Sequence, residues 1–226
     1  MLQNRPDRLE TYRARYATVV DGWRPATAVY QDWVASHLKP NSRVLDLGCG
    51  RGGIVERLGD EGTWVGTDPD LSSLQDHRRP EVMRACGLSE ALAFPASSFD
   101  LVVSSWVFEH LSRPEAAFAE IARVLRPGGR VIFLTPNARH PLPRLSIGLA
   151  RIETLQRRLV PVVYRRAAAD AFPVAYRANT AREIVQLAVD SGMRLIRINW
   201  IADPSYLAWD TLTFWLAVSV SLLLPA

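Results

Sequence analysis

Cysteine is almost absent from this chain. Cys49 and Cys86 are the only two, too few for a disulfide framework and without the spacing of a zinc site. That usage suits a reducing compartment. Lysine is scarcer still: Lys39 stands alone, so the basic charge is carried by arginine. The four histidines, at positions 37, 77, 110 and 140, are too scattered to hold a metal. No internal repeat or low-complexity tract is visible. The most apolar stretch, Leu212 to Leu224, has thirteen residues, whereas a spanning helix needs roughly 20. It reads as a buried or surface-docking helix, or as a strand. The opening residues carry charge where a secretory leader is apolar, so an intracellular, cytoplasmic protein is expected.

What is present is ordinary for a globular protein, with 48% hydrophobic and 22% charged residues. A chain of 226 residues suits one domain with an appended cap. The net charge of +4 is concentrated: Arg139 to Arg166 holds seven arginines against one acid, Glu153. A solvated face, an anionic substrate and an anionic membrane surface all fit that cluster. Interleaved Leu145, Ile147, Leu149, Ile152, Leu155 and Leu159 suit a docking helix, and the tail at 212–224 could join the same membrane contact. Nucleic acid is the weaker partner, because Tyr164 is the only aromatic among the arginines.

Short β-branched runs alternate with helical patterns, the signature of a parallel α/β sheet. The runs are Arg43–Leu47, Thr63–Asp68, Val82–Cys86, Phe99–Ser105, Arg130–Thr135 and Arg194–Ile201. Ser112 to Glu115 and Thr180 to Glu183 both spell a capping box. The first helix is expected to stop at Pro127-Gly128-Gly129 and the second at Gly192. The segment up to Leu38 reads as helical, with Tyr12, Tyr16, Val20 and Trp33 as packing residues. Residues 137–176 interrupt the alternation and read as a helical insert over the site.

The informative motif is Val44-Leu45-Asp46-Leu47-Gly48-Cys49-Gly50-Arg51-Gly52-Gly53, a buried strand running into a glycine turn. Glycine permits positive φ and lets a ligand approach the backbone closely. Twenty-two residues after Asp46, at the end of the next strand, Asp68 can accept the hydroxyls of a ribose. A dinucleotide loop is spelled G-x-G-x-x-G and presents amides to a pyrophosphate, with no acid before it. Here Asp46 precedes the first glycine by two residues. Its charge would repel a pyrophosphate and attract a cationic amino-acid group.

The segments VLDLGCGRGG, VGTD, SEALAFPASSFDLVVSSWVFEHL and LRPGGRVIFLTPN, in that order, resemble the class I S-adenosylmethionine-dependent methyltransferases. The similarity is strongest to their small-molecule branch of ubiquinone- and menaquinone-type enzymes. It covers residues 40–137 well and 176–200 loosely. It implies a doubly wound, Rossmann-like, mostly parallel sheet, with the Arg-rich insert following the fifth strand. It implies one domain over 1–226, with a helical cap at 1–39, a cofactor core at 40–136, the insert at 137–176 and a C-terminal part at 177–226. The cofactor would be S-adenosylmethionine and the partner a small apolar or lipid-like acceptor.

By position, Gly48, Cys49, Gly50 and Gly52 would line the cofactor, with Asp46 near its amino group, Asp68 on the ribose and Pro69 beside the adenine. Where the family often has an acid that binds the adenine amino group, this chain has Leu88-Ser89. Ser104, Ser105 and Trp106 would face the methionine part. Tyr12, Tyr16, Trp23, Trp106, His110 and Asn137 would border the acceptor. His110 could deprotonate an acceptor hydroxyl near neutral pH, although packing of the turn is the favoured reading. Two alternatives stand beside the enzyme. One is a non-catalytic or membrane-docking protein that keeps the cofactor fold, for which Leu88 is the sequence support. The other, a nicotinamide oxidoreductase, lacks both the loop spelling and any Tyr-x-x-x-Lys pair.

Overall fold

A computed structural model describes residues 5–139, 174–208 and 210–223. The expected insert therefore lies, apart from its two ends, outside the described residues, as does the arginine cluster beyond Arg139. The described parts of Met1–Trp33 and Asn199–Ala226 form one compact unit, and those of Val34–Ile198 form another.

The larger unit is built on five parallel strands: β1 (Arg43–Leu47), β2 (Thr63–Asp68), β3 (Met83–Cys86), β4 (Phe99–Ser105) and β5 (Leu125–Leu134), in the spatial order β3-β2-β1-β4-β5. The order reverses at β1, so the crevice beyond the carboxyl ends of β1 and β4 is where such a sheet binds ligands. Val44, Leu45 and Leu47 have no exposed surface, as the solid apolar run of a sheet covered on both faces requires. One layer is α5 (Pro114–Val124), which presses Ala117, Phe118, Ile121 and Val124 into the sheet. The ring of Phe108 stacks on Phe133 with centroids 4.0 Å apart and meets Phe118 edge-on. Short helices α3 (Val55–Leu58) and α4 (Leu71–Gln75) follow β1 and β2.

The capping box at Thr180 forms as expected at the start of α6 (Ala181–Asp190), and Gly192 takes a positive φ of 75° beyond its end. The one at Ser112 does not form. Pro114 takes the first helical position, for which its fixed φ and missing N–H suit it, and Arg113 becomes the N-cap. The Ser112 hydroxyl turns instead to Glu90, at 3.4 Å.

The end of α5 also differs from expectation. The helix stops at Val124, because Leu125 pairs with Phe99 and Arg126 precedes a proline, which disfavours helical backbone. The ladder then skips from Phe99↔Leu125 to Leu101↔Arg130, and Arg126 bonds both oxygens of Asp100 across the gap.

The sixth strand expected at Arg194–Ile201 has no ladder among the described residues. A strand exists only through a ladder, and the tail that could have supplied an antiparallel partner is the helix α7 (Thr211–Leu223). Ile196 is left 63% exposed.

In the smaller unit, α1 (Arg5–Val19) and α7 share a core of Tyr12, Tyr16, Ala208, Phe214 and Val218. Tyr12 stacks on Phe214 at 4.9 Å, and Arg13 bonds Asp203 at 3.0 Å. Helix α2 (Ala26–Ala35) leads from this unit into the larger one. Among the described residues no helix is long and apolar enough to cross a membrane.

Candidate active site at the switch point of the sheet

The turn after β1 folds back on β2. The N–H groups of Gly48 and Cys49 both donate to the Thr67 carbonyl, at 2.8 and 3.1 Å. Gly48 has a φ of 73°, and a Cβ there would lie 2.2 Å from Cγ2 of Val107, so this position admits only glycine. Gly50, at φ 50°, has open space where its Cβ would be, so a ligand can approach the backbone there. Its N–H donates to Oδ2 of Asp68 at 2.9 Å, while Oδ1 accepts from the Asp70 N–H at 2.8 Å. A carboxylate has about four acceptor sites, so the oriented Asp68 keeps capacity for two further donors, such as the paired hydroxyls of a ribose.

Asp46, opposite Gly66 on the neighbouring strand, is 6% exposed. Burial, reinforced by the charge of Asp68, pushes its carboxyl up to about 7. Two buried acids side by side are costly alone and are relieved by a bound cation. The site thus fits the ammonium and sulfonium of S-adenosylmethionine at one end and its ribose at the other.

Cys49 is buried over β2, where a Cβ on Gly66 would approach its sulfur to 2.6 Å. Burial, with the charges of Asp46 and Asp68, pushes its thiol to about 12, so it packs and does not attack. Gly52 lies farther along the loop at φ 126°, against Glu56, which pairs with Arg78. On the β3 side, Pro69 is exposed, Leu88 is 52% exposed and Ser89 is partly buried. Asp70 is not available to a base there, because both its oxygens cap α4 through Ser72 and Ser73.

On the β4 side, Ser105 is partly buried, while Ser104 is fully buried and donates its hydroxyl to the Leu47 carbonyl at 2.8 Å. Ser104 thus ties β4 to the start of the glycine loop. Trp106 follows with a positive φ of 61°, and His110 closes the short turn Phe108–His110 with its N–H on the Val107 carbonyl. Asn137 spends its side-chain oxygen on the N–H of Arg139, at 2.9 Å.

Tyr16 and Trp23 belong to the smaller unit. There they meet edge-on at 5.1 Å, and the Trp23 indole donates to the Ala202 carbonyl at 2.7 Å. Val107, Glu109, Thr135 and Asn179 were not singled out from the sequence. Glu109 was legible only as the neighbour of His110, and Asn179 only as the residue before a capping threonine.

A doubly wound sheet with a glycine turn after its first strand and an acid closing its second is an arrangement suited to holding a nucleoside. Residues 45–133 match the model of a methyltransferase domain. Over 96 residues the chain is 36% identical to the demethylmenaquinone methyltransferase of Renibacterium salmoninarum, covering 41% of this chain and 40% of that one. Over 156 residues it is 32% identical to the nocamycin O-methyltransferase of Saccharothrix syringae, covering 64% and 55%. The matches thus span about half or less of these relatives' lengths.

The fold is shared with the geranyl diphosphate C-methyltransferase of Streptomyces coelicolor, solved with S-adenosylhomocysteine, at a TM-score of 0.56 and 18% identity over 88% of this chain and 70% of that one. The similarity to methyltransferases is carried in sequence by residues 45–133, on a fold shared with that enzyme.

Proposed function

We propose that this chain binds S-adenosylmethionine at the Gly48–Gly52 turn and transfers its methyl group to a small, apolar or lipid-like acceptor. The observation that carries the reading is the Asp68 carboxylate, held by Gly50 and Asp70 at the β2 end with the buried acid Asp46 on the neighbouring strand. When bound, the sulfonium supplies an electrophilic methyl carbon. The chain's own part is positioning and electrostatics. Asp68 holds the ribose, Asp46 faces the ammonium group, and Gly48, Cys49, Gly50 and Gly52 let the backbone approach. Leu88 and Pro69 flank the base by apolar contact, with Ser89 beside them. Ser105 and Trp106 border the methionine part, and Ser104 fixes the strand beneath them.

Holding the acceptor atom in line with the methyl carbon and sulfur supplies several kcal/mol without covalent help from the protein. His110 is the candidate to take a proton from an acceptor hydroxyl. The names of the relatives, a demethylmenaquinone methyltransferase and an O-methyltransferase, support a small organic acceptor. Incubating the full chain with methyl-labelled S-adenosylmethionine and a panel of prenylated quinols and phenols tests this. Label should pass to at least one acceptor and be lost in Asp68→Ala. Binding without transfer to any acceptor would favour a non-catalytic protein that keeps the cofactor fold.

A second reading concerns a peripheral contact with an anionic bilayer. Helix α7 buries Phe214, Ala217 and Val218, and it exposes Leu212 (70%), Trp215 (45%), Leu216 (58%) and Val220 (44%) on one stripe without a charge. The sequence adds the arginine-rich stretch from Arg139 to Arg166, whose charge suits anionic headgroups. Co-sedimentation with phosphatidylglycerol vesicles should fall at least five-fold in Trp215→Ser/Leu216→Ser. Equal pelleting of the variant would remove this contact.

A further inference from the structure

The carboxyl ends of β4 and β5 are joined by polar groups that cofactor binding does not use. Glu109, in the turn after β4, is only 5% exposed. Its carboxylate accepts from the hydroxyl of Thr135, just past β5, at 3.1 Å. The same hydroxyl accepts from the side-chain amide of Asn179 at 2.6 Å, and that amide also donates to the Pro136 carbonyl at 3.2 Å. A hydroxyl has one proton to give. The relay therefore runs one way, from Asn179 through Thr135 to Glu109.

The backbone repeats the connection. The N–H groups of Ala175 and Tyr176 donate to the Glu109 carbonyl at 2.7 and 3.0 Å, and the Ala138 N–H donates to the Asn179 carbonyl at 3.0 Å. Asn179 is 1% exposed and Ala178 is fully buried. Tyr176 sits at a φ of 50°. A non-glycine residue stays in such a conformation only where its surroundings over-determine it. Residues 174–180 are thus strapped over the exits of β4 and β5.

The other side of the same turn bears on the cofactor loop. Val107 lies against Gly48, and Ser104 bonds the Leu47 carbonyl. One short segment, 104–110, is shared by the glycine loop and the strap.

We propose that Glu109 is a positioning residue. Through Thr135 and Asn179 it holds residues 174–180 as the acceptor-side wall, in fixed relation to the cofactor loop. The inference rests on the methyltransferase reading, which makes that mouth the acceptor's. Its test is amide hydrogen exchange on the full chain, alone and with S-adenosylhomocysteine, beside calorimetry of that ligand.

Thr135→Val keeps the shape and removes the relay. It should speed exchange at Ala175 and Tyr176 at least ten-fold and abolish the slowing that the ligand produces there in the parent chain. The ligand's affinity should stay within about three-fold. Thr135→Ser should restore the parent behaviour, which a loss of packing alone would not predict. Asn179→Ala breaks the relay at its other end and should match Thr135→Val, should the latter fail to fold.

Unchanged exchange at the two amides would overturn the proposal. So would a ten-fold loss of ligand affinity in Thr135→Val, which would assign the network to the cofactor. A parent chain that binds no S-adenosylhomocysteine defeats the methyltransferase reading instead, and exchange in the ligand-free variants still decides the relay.

Discussion

The two ends of the crevice are built differently. At the β1–β2 end, the cofactor-side bonds join two successive strand ends 18 to 19 positions apart: Gly48 and Cys49 bond Thr67, and Gly50 orients Asp68. At the β4–β5 end, the side-chain bonds join residues 26 and 44 positions apart, as Thr135 meets Glu109 and Asn179 meets Thr135. A local motif can be met again in any relative that binds the same cofactor. A wall assembled from distant segments can change with each acceptor. The difference explains why the β1–β2 end is legible in the sequence and the β4–β5 end is not.

The largest expected effect falls on the local end. Asp68→Ala removes an acceptor for two ribose donors, each worth about 1.5–3 kcal/mol when the partner is charged. S-adenosylhomocysteine affinity should therefore drop by about 100-fold or more by calorimetry. A loss of similar size in Thr135→Val would erase the contrast between the two ends.

Gly48→Ala is next. A Cβ 2.2 Å from Val107 at a φ of 73° forces both the loop and the 104–110 turn to move. Denaturant unfolding should show a loss of about 2–4 kcal/mol.

Asp46 gives a pH signature. Its folded carboxyl, at about 7, lies above the ordinary value of 3.8, so the folded state binds the extra proton between these limits. The stability of the ligand-free chain from this group is therefore present at low pH and falls as pH rises through that window. An ammonium group beside Asp46 favours the ionised form, so affinity for S-adenosylhomocysteine should rise across the same window, with proton release near pH 6. Asp46→Asn should flatten both trends, seen by thermal melts and by calorimetry in buffers of different ionisation heat.

The smallest effect separates strand support from ligand contact. Ser104→Ala leaves the buried Leu47 carbonyl without its donor and should cost about 1–2 kcal/mol of stability. Affinity should hardly change. A strong loss of affinity would return Ser104 to direct contact with the cofactor.

The legibility of the fold follows the same division. The first, second and fourth strands and the Thr180 cap lie in the structure where the sequence puts them, because their patterns are written in adjacent residues and the ladder partners are present. The cap expected at Ser112 falls one position later, at Arg113, since Pro114 sets the frame of α5 more firmly than a serine does. Arg194–Ile201 has the composition of a strand, but a strand needs a neighbour, and α7 is a helix. Asn137 and Ser104 were of the right type to touch a ligand, yet each is bonded to nearby backbone. Glu109 carried no signal of its own, because its partners lie far along the chain.

Asp46 and Asp68 together are expected to select a cationic amino-acid nucleoside over a pyrophosphate. Parallel calorimetric titrations of the full chain with S-adenosylhomocysteine and with NADH test it most directly. The expected result is a one-to-one, micromolar isotherm for the first, at least 30-fold weaker in Asp68→Ala, and no heat for the second. Saturable NADH binding without a response to S-adenosylhomocysteine would contradict it.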